Sequence, residues 1–154
     1  MDDPRIEIDD LSRDAVRALL AEHLADMYAT SPPESVHALD VTGLTGPDVT
    51  VWTLWDGRTV LGCAALKELA PADGEIKSMR TSAAARGRGV ATGLLSHLLD
   101  EARRRGYARL HLETGTQDFF APARRLYERH GFVGCPPFGG YTDDPNSTYF
   151  TVSL

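Results

Sequence analysis

The sequence contains no long apolar run and only two cysteines. No stretch approaches the roughly 20 apolar residues that a membrane-spanning helix needs, and the acidic residues 1–5 lack the apolar core of a signal peptide. Cys63 and Cys135 lie far apart and indicate neither a disulfide framework nor a zinc site. We therefore expect a soluble, cytoplasmic protein with reduced thiols, no metal ion and no membrane partner.

A basic surface is also lacking, because the formal net charge is -6. This charge argues against nucleic acid as the main partner, since phosphate backbones are bound by basic faces. Arginines do cluster locally, and we interpret residues 103–105 as a solvated helix end that complements the helix dipole. The sequence has no internal repeat, and its 154 residues, 42% of them hydrophobic, predict one globular domain over residues 1–154.

Hydrophobic periodicity predicts an alternation of strands and helices. Strands are predicted at residues 6–8, 49–54, 59–66, 75–81, 108–114, 132–133 and 147–154. Helices are predicted at residues 12–30, 90–105 and 122–130, the last two ended by Gly106 and Gly131. Ser12 is expected to cap the first helix. The turns are predicted at residues 31–47, with a short helical turn near 35–39, and at residues 55–58 and 70–74.

The order of these elements predicts an α/β (α+β) fold. Three consecutive strands form an antiparallel meander, which then runs into strand–helix–strand units. Strand–helix–strand units place their strands in parallel, so the central sheet should be mixed.

A glycine-rich segment, Arg86-Gly87-Arg88-Gly89-Val90-Ala91, lies between a predicted strand and a predicted helix. Glycine permits positive φ, so that successive backbone N–H groups can converge on one point. The helix N-terminus adds about half a positive charge at that point, and the two arginines supply forked donors. The segment therefore predicts a phosphate-binding turn.

Three phosphate-binding motifs compete for this segment. A P-loop requires Gly-Lys-Ser/Thr after the glycines, and none follows. A dinucleotide fingerprint requires a third glycine, where Thr92 stands, and an acidic residue about 20 positions later, which is not evident. The remaining pattern is Arg-x-x-Gly-x-Ala, with Arg86, Gly89 and Ala91 at the fixed positions.

In its context this pattern resembles the pyrophosphate-binding motif of the GCN5-related N-acetyltransferases, written Arg/Gln-x-x-Gly-x-Gly/Ala. Downstream, residues 126–132 look like the Leu-Tyr-x-x-x-Gly-Phe helix ending of that family. Upstream, residues 74–81 look like its splayed strand. The three signals occur in the family's order, and the resemblance covers residues 48–134 well and the first helix more loosely.

The resemblance implies a GNAT-like fold whose mixed sheet has about six to seven strands, is flanked by helices and splays between its central parallel strands. It implies acetyl-CoA as the acetyl donor, with the pantetheine arm paired to the backbones of Met79 and Thr81. The amides of residues 86–92 would hold the pyrophosphate. The implied cofactor-binding residues are Met79, Arg80, Thr81, Arg86, Gly87, Arg88, Gly89, Val90, Ala91 and Thr92.

Acetyl transfer to an amine involves two proton movements. The acceptor ammonium must lose a proton before it can attack, and a proton donor helps the CoA thiolate to leave. Tyr127 matches the family tyrosine that protonates the CoA sulfur; the alternative is an aromatic side chain packed on the core. Glu75, expected on the same strand face as Met79, matches the catalytic glutamate of some family members. Glu113 is the competing carboxylate, acting through a water or holding the substrate, and a water chain could replace both.

The sequence departs from the family at Phe120, seven residues before Tyr127, where many members have asparagine. Any contact of that asparagine with the cofactor arm must therefore be absent or replaced. Arg124 and Arg125 would either meet the adenosine phosphate of CoA or be solvated, and solvation is favoured.

Two proline-rich segments, residues 30–37 and 135–147, are expected to wall the acceptor pocket through His37, Phe138 and Tyr141. They resemble those of a bacterial subgroup of the family. The predicted acceptor is the primary amine of a small molecule, attacked directly in a ternary complex. Acetylation of a protein lysine or N-terminus, and a non-catalytic acyl-CoA-binding module, stay open as alternatives. Family membership also allows a homodimer.

Overall fold

A computed structural model describes residues 2–37 and 40–154. The strands are β1 (Pro4–Ile8), β2 (Val49–Asp56), β3 (Thr59–Ala70), β4 (Asp73–Thr81), β5 (Arg109–Gly115), β6 (Val133–Gly134) and β7 (Ser147–Ser153). The helices are α1 (Asp14–Thr30), α2 (Val41–Leu44), α3 (Val90–Arg104) and α4 (Ala121–Arg129). Single 3₁₀ turns lie at Pro33–Ser35, Ala83–Ala85 and Asp118–Phe120.

The seven strands form one sheet in the order β1-β2-β3-β4-β5-β7-β6. Every neighbouring pair is antiparallel except β4 and β5, which are parallel and are joined through α3. The prediction of a mixed sheet built from a meander and a strand–helix–strand unit is therefore confirmed.

Two apolar cores lie on opposite faces of this sheet. The larger one packs α3 and α4 against the sheet, and leucines 94, 95 and 98 of α3 are fully buried in it. The smaller one packs α1 and α2 against the other face, around Val16, Leu44 and Cys63. Because successive strand residues point to opposite faces, β2 and β3 supply both cores and read as nearly continuous apolar runs.

The local signals fail at the start of α1 and in the loop that follows it. The N-cap of α1 is Arg13, without a side-chain cap, and the Ser12 hydroxyl donates instead to Asp10 Oδ1 at 2.6 Å. The helical turn expected near residues 35–39 lies earlier in the chain, at Pro33–Ser35. Residues 38 and 39 of the predicted turn lie outside the described residues. Helix α2 was not predicted; Asp40 caps it through the Gly43 amide.

A bulge interrupts β4 at Ser78, whose φ of 52° lies in the left-handed region. The register against β3 shifts there, so that Lys77 pairs with Ala65 but Arg80 pairs with Cys63. The extra residue reverses the alternation of faces. Met79 consequently packs on the α3 core, whereas Arg80 points toward α1. The strand also begins at Asp73, two residues before the prediction, so the turn after β3 is shorter than expected.

Candidate active site

A cavity of about 630 Å³ opens where β4 and β5 separate. The two strands are paired only over Asp73–Glu75 and Arg109–His111. Beyond Glu75 the β5-facing edge of β4 has no strand partner among the described residues, which leaves backbone donors and acceptors free along it. The cavity runs from this gap to the start of α3 and is closed by α4 and by the segment before α2.

The glycine-rich turn lies at one end of the cavity. Gly87 and Gly89 have φ values of 80° and 78°, and Gly89 is the N-cap of α3. No described side chain caps this helix, so the amides of its first turn, at Val90, Ala91 and Thr92, face the cavity without an intrahelical acceptor. Such a turn can hold an anion.

The predicted cofactor-binding residues line the cavity with one exception. Met79, Arg80 and Thr81 line it from β4, and the residues at 86, 87 and 89–92 line it from the turn. Arg88 is exposed and does not line it. Arg80 is buried and forms ion pairs with Glu22 and Asp26 of α1, so its guanidinium is already occupied.

Glu75 is buried at the other end, in a closed group of three polar side chains. Tyr141 donates its hydroxyl to Glu75 Oε2 at 2.6 Å. Lys77 donates from Nζ to the same oxygen at 3.2 Å and to the Tyr141 hydroxyl at 2.8 Å. Sequence reasoning missed Lys77, although its position two residues after Glu75 places it on the same strand face. The prediction that Met79 shares this face is wrong, because the bulge at Ser78 intervenes.

Glu113 of β5 also lines the cavity, on the strand opposite Glu75. Burial raises the pKa of Glu113, and the charge of Glu75 adds to the rise, while His37 and Lys77 oppose it. The two carboxyl groups are therefore in different settings, since only Glu75 has a cation within hydrogen-bond distance.

Tyr127 lies on α4, 5% exposed, with its ring against Phe132 at 5.6 Å. It both packs on the larger core and lines the cavity, so the two alternatives considered for it are compatible. Burial raises the pKa of the Tyr127 phenol, with a further contribution from Glu113. The phenol therefore carries its proton at neutral pH and is able to donate it.

The two proline-rich segments meet at the Glu75 end. The ring of His37 lies edge-on to Tyr141, with centroids 5.0 Å apart, and Asn146 Nδ2 donates to Ser35 Oγ at 3.4 Å. His37 and Tyr141 line the cavity, as expected. Phe138 does not; it packs behind Tyr141, with centroids 5.1 Å apart, and against His111. Phe138 therefore supports the wall from outside.

The departure at Phe120 is accommodated by packing. Phe120 is 8% exposed and lines the cavity, where its ring fills the space beside Gly115. Arg124 is half-buried, and its Nη1 donates to the carbonyls of Gly115 and Gln117 at 2.6 and 3.0 Å. Arg125 is exposed.

His23 is a cavity residue that the sequence analysis did not single out. It occupies the position after Leu19 and Leu20 in the apolar stripe of α1 and is 8% exposed. Burial lowers its pKa to about 4, and the neighbouring Arg80 cation contributes to the fall. The stripe itself was the available signal, since it places residue 23 against the sheet.

Residues 2–37 and 40–154 contain no group of three or more metal-ligating side chains. Nor is any helix in that range long and apolar enough to cross a membrane.

The sequence matches known acetyltransferases over almost its whole length. The model of the acetyltransferase (GNAT) family matches residues 14–132. The N-acetyltransferase YsnE of Bacillus subtilis (strain 168), described as uncharacterized, is 52% identical over 149 residues, covering 97% of this chain and 99% of that protein. The similarly described YedL of Escherichia coli (strain K12) is 48% identical over 149 residues, covering 97% of this chain and 94% of that protein.

The fold is also that of solved acetyltransferases. A GNAT family acetyltransferase from Elizabethkingia anophelis, solved with acetyl-CoA bound, has a TM-score of 0.70 at 16% identity, with 100% of both chains covered. The family match and the two relatives rest on sequence, and the fold agrees with them. The chain belongs to the acetyltransferase (GNAT) family and is an N-acetyltransferase by that membership.

Proposed function

We propose that this protein transfers the acetyl group of acetyl-CoA to the primary amine of a small molecule, by direct attack in a ternary complex. The observation that carries the proposal is the single cavity that connects the anion-binding turn at α3 with Glu75 and Tyr127. Such a cavity can hold a donor whose phosphates and reacting group are far apart.

The donor end of the cavity suits acetyl-CoA. The uncapped amides at the start of α3 and the side chain of Arg86, which also lines the cavity, would hold the pyrophosphate. The unpaired edge of β4, at Met79 and Thr81, would pair with the amides of the pantetheine arm. The acetyl group would then lie beyond the bulge, between the separated strands.

Glu75 is assigned as the general base. An acceptor ammonium has no lone pair, so a carboxylate must remove a proton before the nitrogen attacks the thioester carbonyl carbon. The C–N bond forms as the C–S bond breaks. Burial raises the pKa of Glu113, which by itself favours a base, so Glu75 is preferred on geometry, since Tyr141 and Lys77 hold its Oε2 in place.

Tyr127 is assigned as the general acid. The departing sulfur carries the electron pair of the C–S bond, and a phenol that keeps its proton at neutral pH can donate it there. A phenol is protonated at neutral pH without any shift, so the assignment rests on the place of Tyr127 in the cavity wall and not on its raised pKa.

The acceptor end favours a small molecule over a protein side chain. The segments before α2 and between β6 and β7 contact each other through His37 and Tyr141, and through Ser35 and Asn146. They enclose the Glu75 end, and a folded protein would have to separate them to reach it.

The test is an assay of CoA thiol release from acetyl-CoA with a panel of small amines, lysine peptides and N-terminal peptides. We expect turnover with a small amine and its loss in Glu75→Gln, while calorimetry shows that this variant still binds acetyl-CoA. Turnover with peptides alone would overturn the assigned acceptor. Acetyl-CoA binding without any turnover would support the non-catalytic module, and no binding at high micromolar acetyl-CoA would overturn the donor as well.

A further inference from the structure

The hydrogen bonds of Glu75 all converge on one of its two oxygens. Tyr141 and Lys77 both donate to Oε2, at 2.6 and 3.2 Å, and they are joined to each other at 2.8 Å. Among residues 2–37 and 40–154, no donor reaches Oε1. The carboxylate plane is therefore fixed by two contacts, and Oε1 is the oxygen left for a proton from the acceptor.

We propose that Tyr141 and Lys77 are positioning residues that fix the Glu75 carboxylate in place and orient its free oxygen toward the acceptor. The inference rests on the proposed role of Glu75 as the base. Tyr141 lies in the segment between β6 and β7, which we call the β6–β7 segment (residues 135–146). The acceptor end is consequently complete only when this segment is docked on β4.

The group is well placed to orient a base, because its ion pair is nearly shielded from water. The side chains of Glu75 and Lys77 are 4% and 8% exposed, and Tyr141 lies half-buried beside them. An ion pair with so little water around it leaves two side chains little freedom to choose other partners.

The ring of Tyr141 has a second role, which must be separated from that of its hydroxyl. It packs in an aromatic cluster with His37, Phe138 and Tyr149, at centroid distances of 5.0, 5.1 and 5.7 Å. Phenylalanine keeps this packing and removes only the hydroxyl, which donates to Glu75 and accepts from Lys77. Tyr141→Phe is therefore the informative change.

Tyr149 supplies a matched control from the same cluster. Its hydroxyl donates to the Thr142 carbonyl at 2.8 Å, and it does not line the cavity. Tyr149→Phe thus removes one hydroxyl that anchors the β6–β7 segment without touching Glu75.

Other titratable groups surround Glu75 and are common to all these variants. The cross-strand neighbours of Glu75 are Lys67 on β3 and His111 on β5, and His111 is bonded to Asp73 at 3.0 Å. Glu113 faces it from β5, and the other groups near the β6–β7 segment are His37 and Tyr149. None of them is altered in Tyr141→Phe, so a change in kcat belongs to the lost hydroxyl.

The experiment measures kcat and KM for one amine at one pH. A carboxylate that has lost a donor to Oε2 is free to leave its productive orientation, so kcat of Tyr141→Phe should fall about tenfold, while KM and the calorimetric affinity for acetyl-CoA change little. Lys77→Met should lower kcat at least as far. Tyr149→Phe should leave kcat and KM unchanged. Thermal unfolding of each variant verifies that it is folded.

The outcomes separate this inference from the proposed function. If Glu75→Gln is inactive but neither Tyr141→Phe nor Lys77→Met lowers kcat, the two residues only pack, and the positioning role is overturned. A fall in kcat of equal size in Tyr149→Phe would also overturn the positioning role, because the effect would then come from the docking of the segment alone. If Glu75→Gln keeps wild-type activity, Glu75 is not the base, and the proposed function must be revised first.

Discussion

Arg80 Nη1 donates to Asp26 Oδ2 at 2.6 Å, and this contact joins the end of β4 to α1. The Arg80 side chain is 5% exposed and also pairs with Glu22, so one buried cation is shared by two carboxylates of the same helix. Asp26 Oδ2 also lies 3.9 Å from Arg86 Nη2, and this ion pair links α1 to the glycine-rich turn. A residue that the sequence assigned to the cofactor therefore holds the two walls of the cavity together.

Arg80→Met should lower the free energy of unfolding by about 2 kcal/mol, because it removes two charge-assisted hydrogen bonds from a buried site. Arg103→Met is the matched control, since Arg103 is 56% exposed and pairs only with Asp100 of its own helix. The control should change stability by less than about 0.5 kcal/mol. Urea unfolding measures the free energy of unfolding of both variants. Equal stability of the two variants would show that the α1–β4 contact contributes little.

Gly89→Ala should weaken acetyl-CoA binding and lower stability by about 1 kcal/mol, because alanine is strained at a φ of 78°. The strain would shift the amides that begin α3. Gly134→Ala offers a control, since Gly134 has no positive φ and a Cβ there meets nothing within 4 Å. Calorimetry with acetyl-CoA and urea unfolding give the two readouts. Unchanged affinity in Gly89→Ala would remove the turn from donor binding.

Tyr127→Phe should reduce kcat by about 100-fold, a typical effect of losing a general acid, with little change in calorimetric affinity for acetyl-CoA. Tyr107→Phe is the control: Tyr107 is a buried tyrosine whose hydroxyl donates to Glu68, and it does not line the cavity. It should keep kcat. Wild-type kcat in Tyr127→Phe would exclude the phenol from the reaction.

His23 should make the protein less stable in mild acid. Its pKa is about 4 in the folded state, against 6.5 for the free side chain, so the unfolded chain binds more protons between these values. The contribution of His23 to the free energy of unfolding is therefore fully present above pH 6.5 and is lost as the pH drops toward 4. Between pH 7 and pH 5 the loss should be about 2 kcal/mol.

The measurement is the free energy of unfolding of the wild type and of His23→Leu at both pH values. The variant differs in absolute stability for reasons of packing, so the comparison is between the two pH dependences. Between pH 7 and pH 5 the free energy of unfolding of His23→Leu should fall by about 2 kcal/mol less than that of the wild type. Identical dependences would show that His23 is accessible to protons in the folded protein.

Much of the fold was predictable because its signals are local. The start of α3 at Gly89 and its end at Gly106 follow from turn geometry and from apolar spacing, and both occur where expected. The cap of α1 was not predictable, because Asp10 competes for the Ser12 hydroxyl. Helix α2 is a single turn, too short to show a period.

The site was predicted in part, for a related reason. Glu75, Glu113, His37, Tyr141 and Tyr127 do line one cavity, although they come from five separate parts of the chain. Their motifs gave their positions along the chain but not their mutual contacts. The role of Lys77 depends on the side chain of Tyr141, 64 residues away, and no local pattern reports such a pair.

The sequence by itself determined the order of strands and helices, the glycine-rich turn before α3 and the family, because each depends on residues that are close in the chain. The tertiary structure alone decided three things: the reversal of faces at Ser78, the partners of Arg80 and the two donors on Glu75. A bulge depends on how two strands pair, and a buried charge takes whichever opposite charge the packing brings to it.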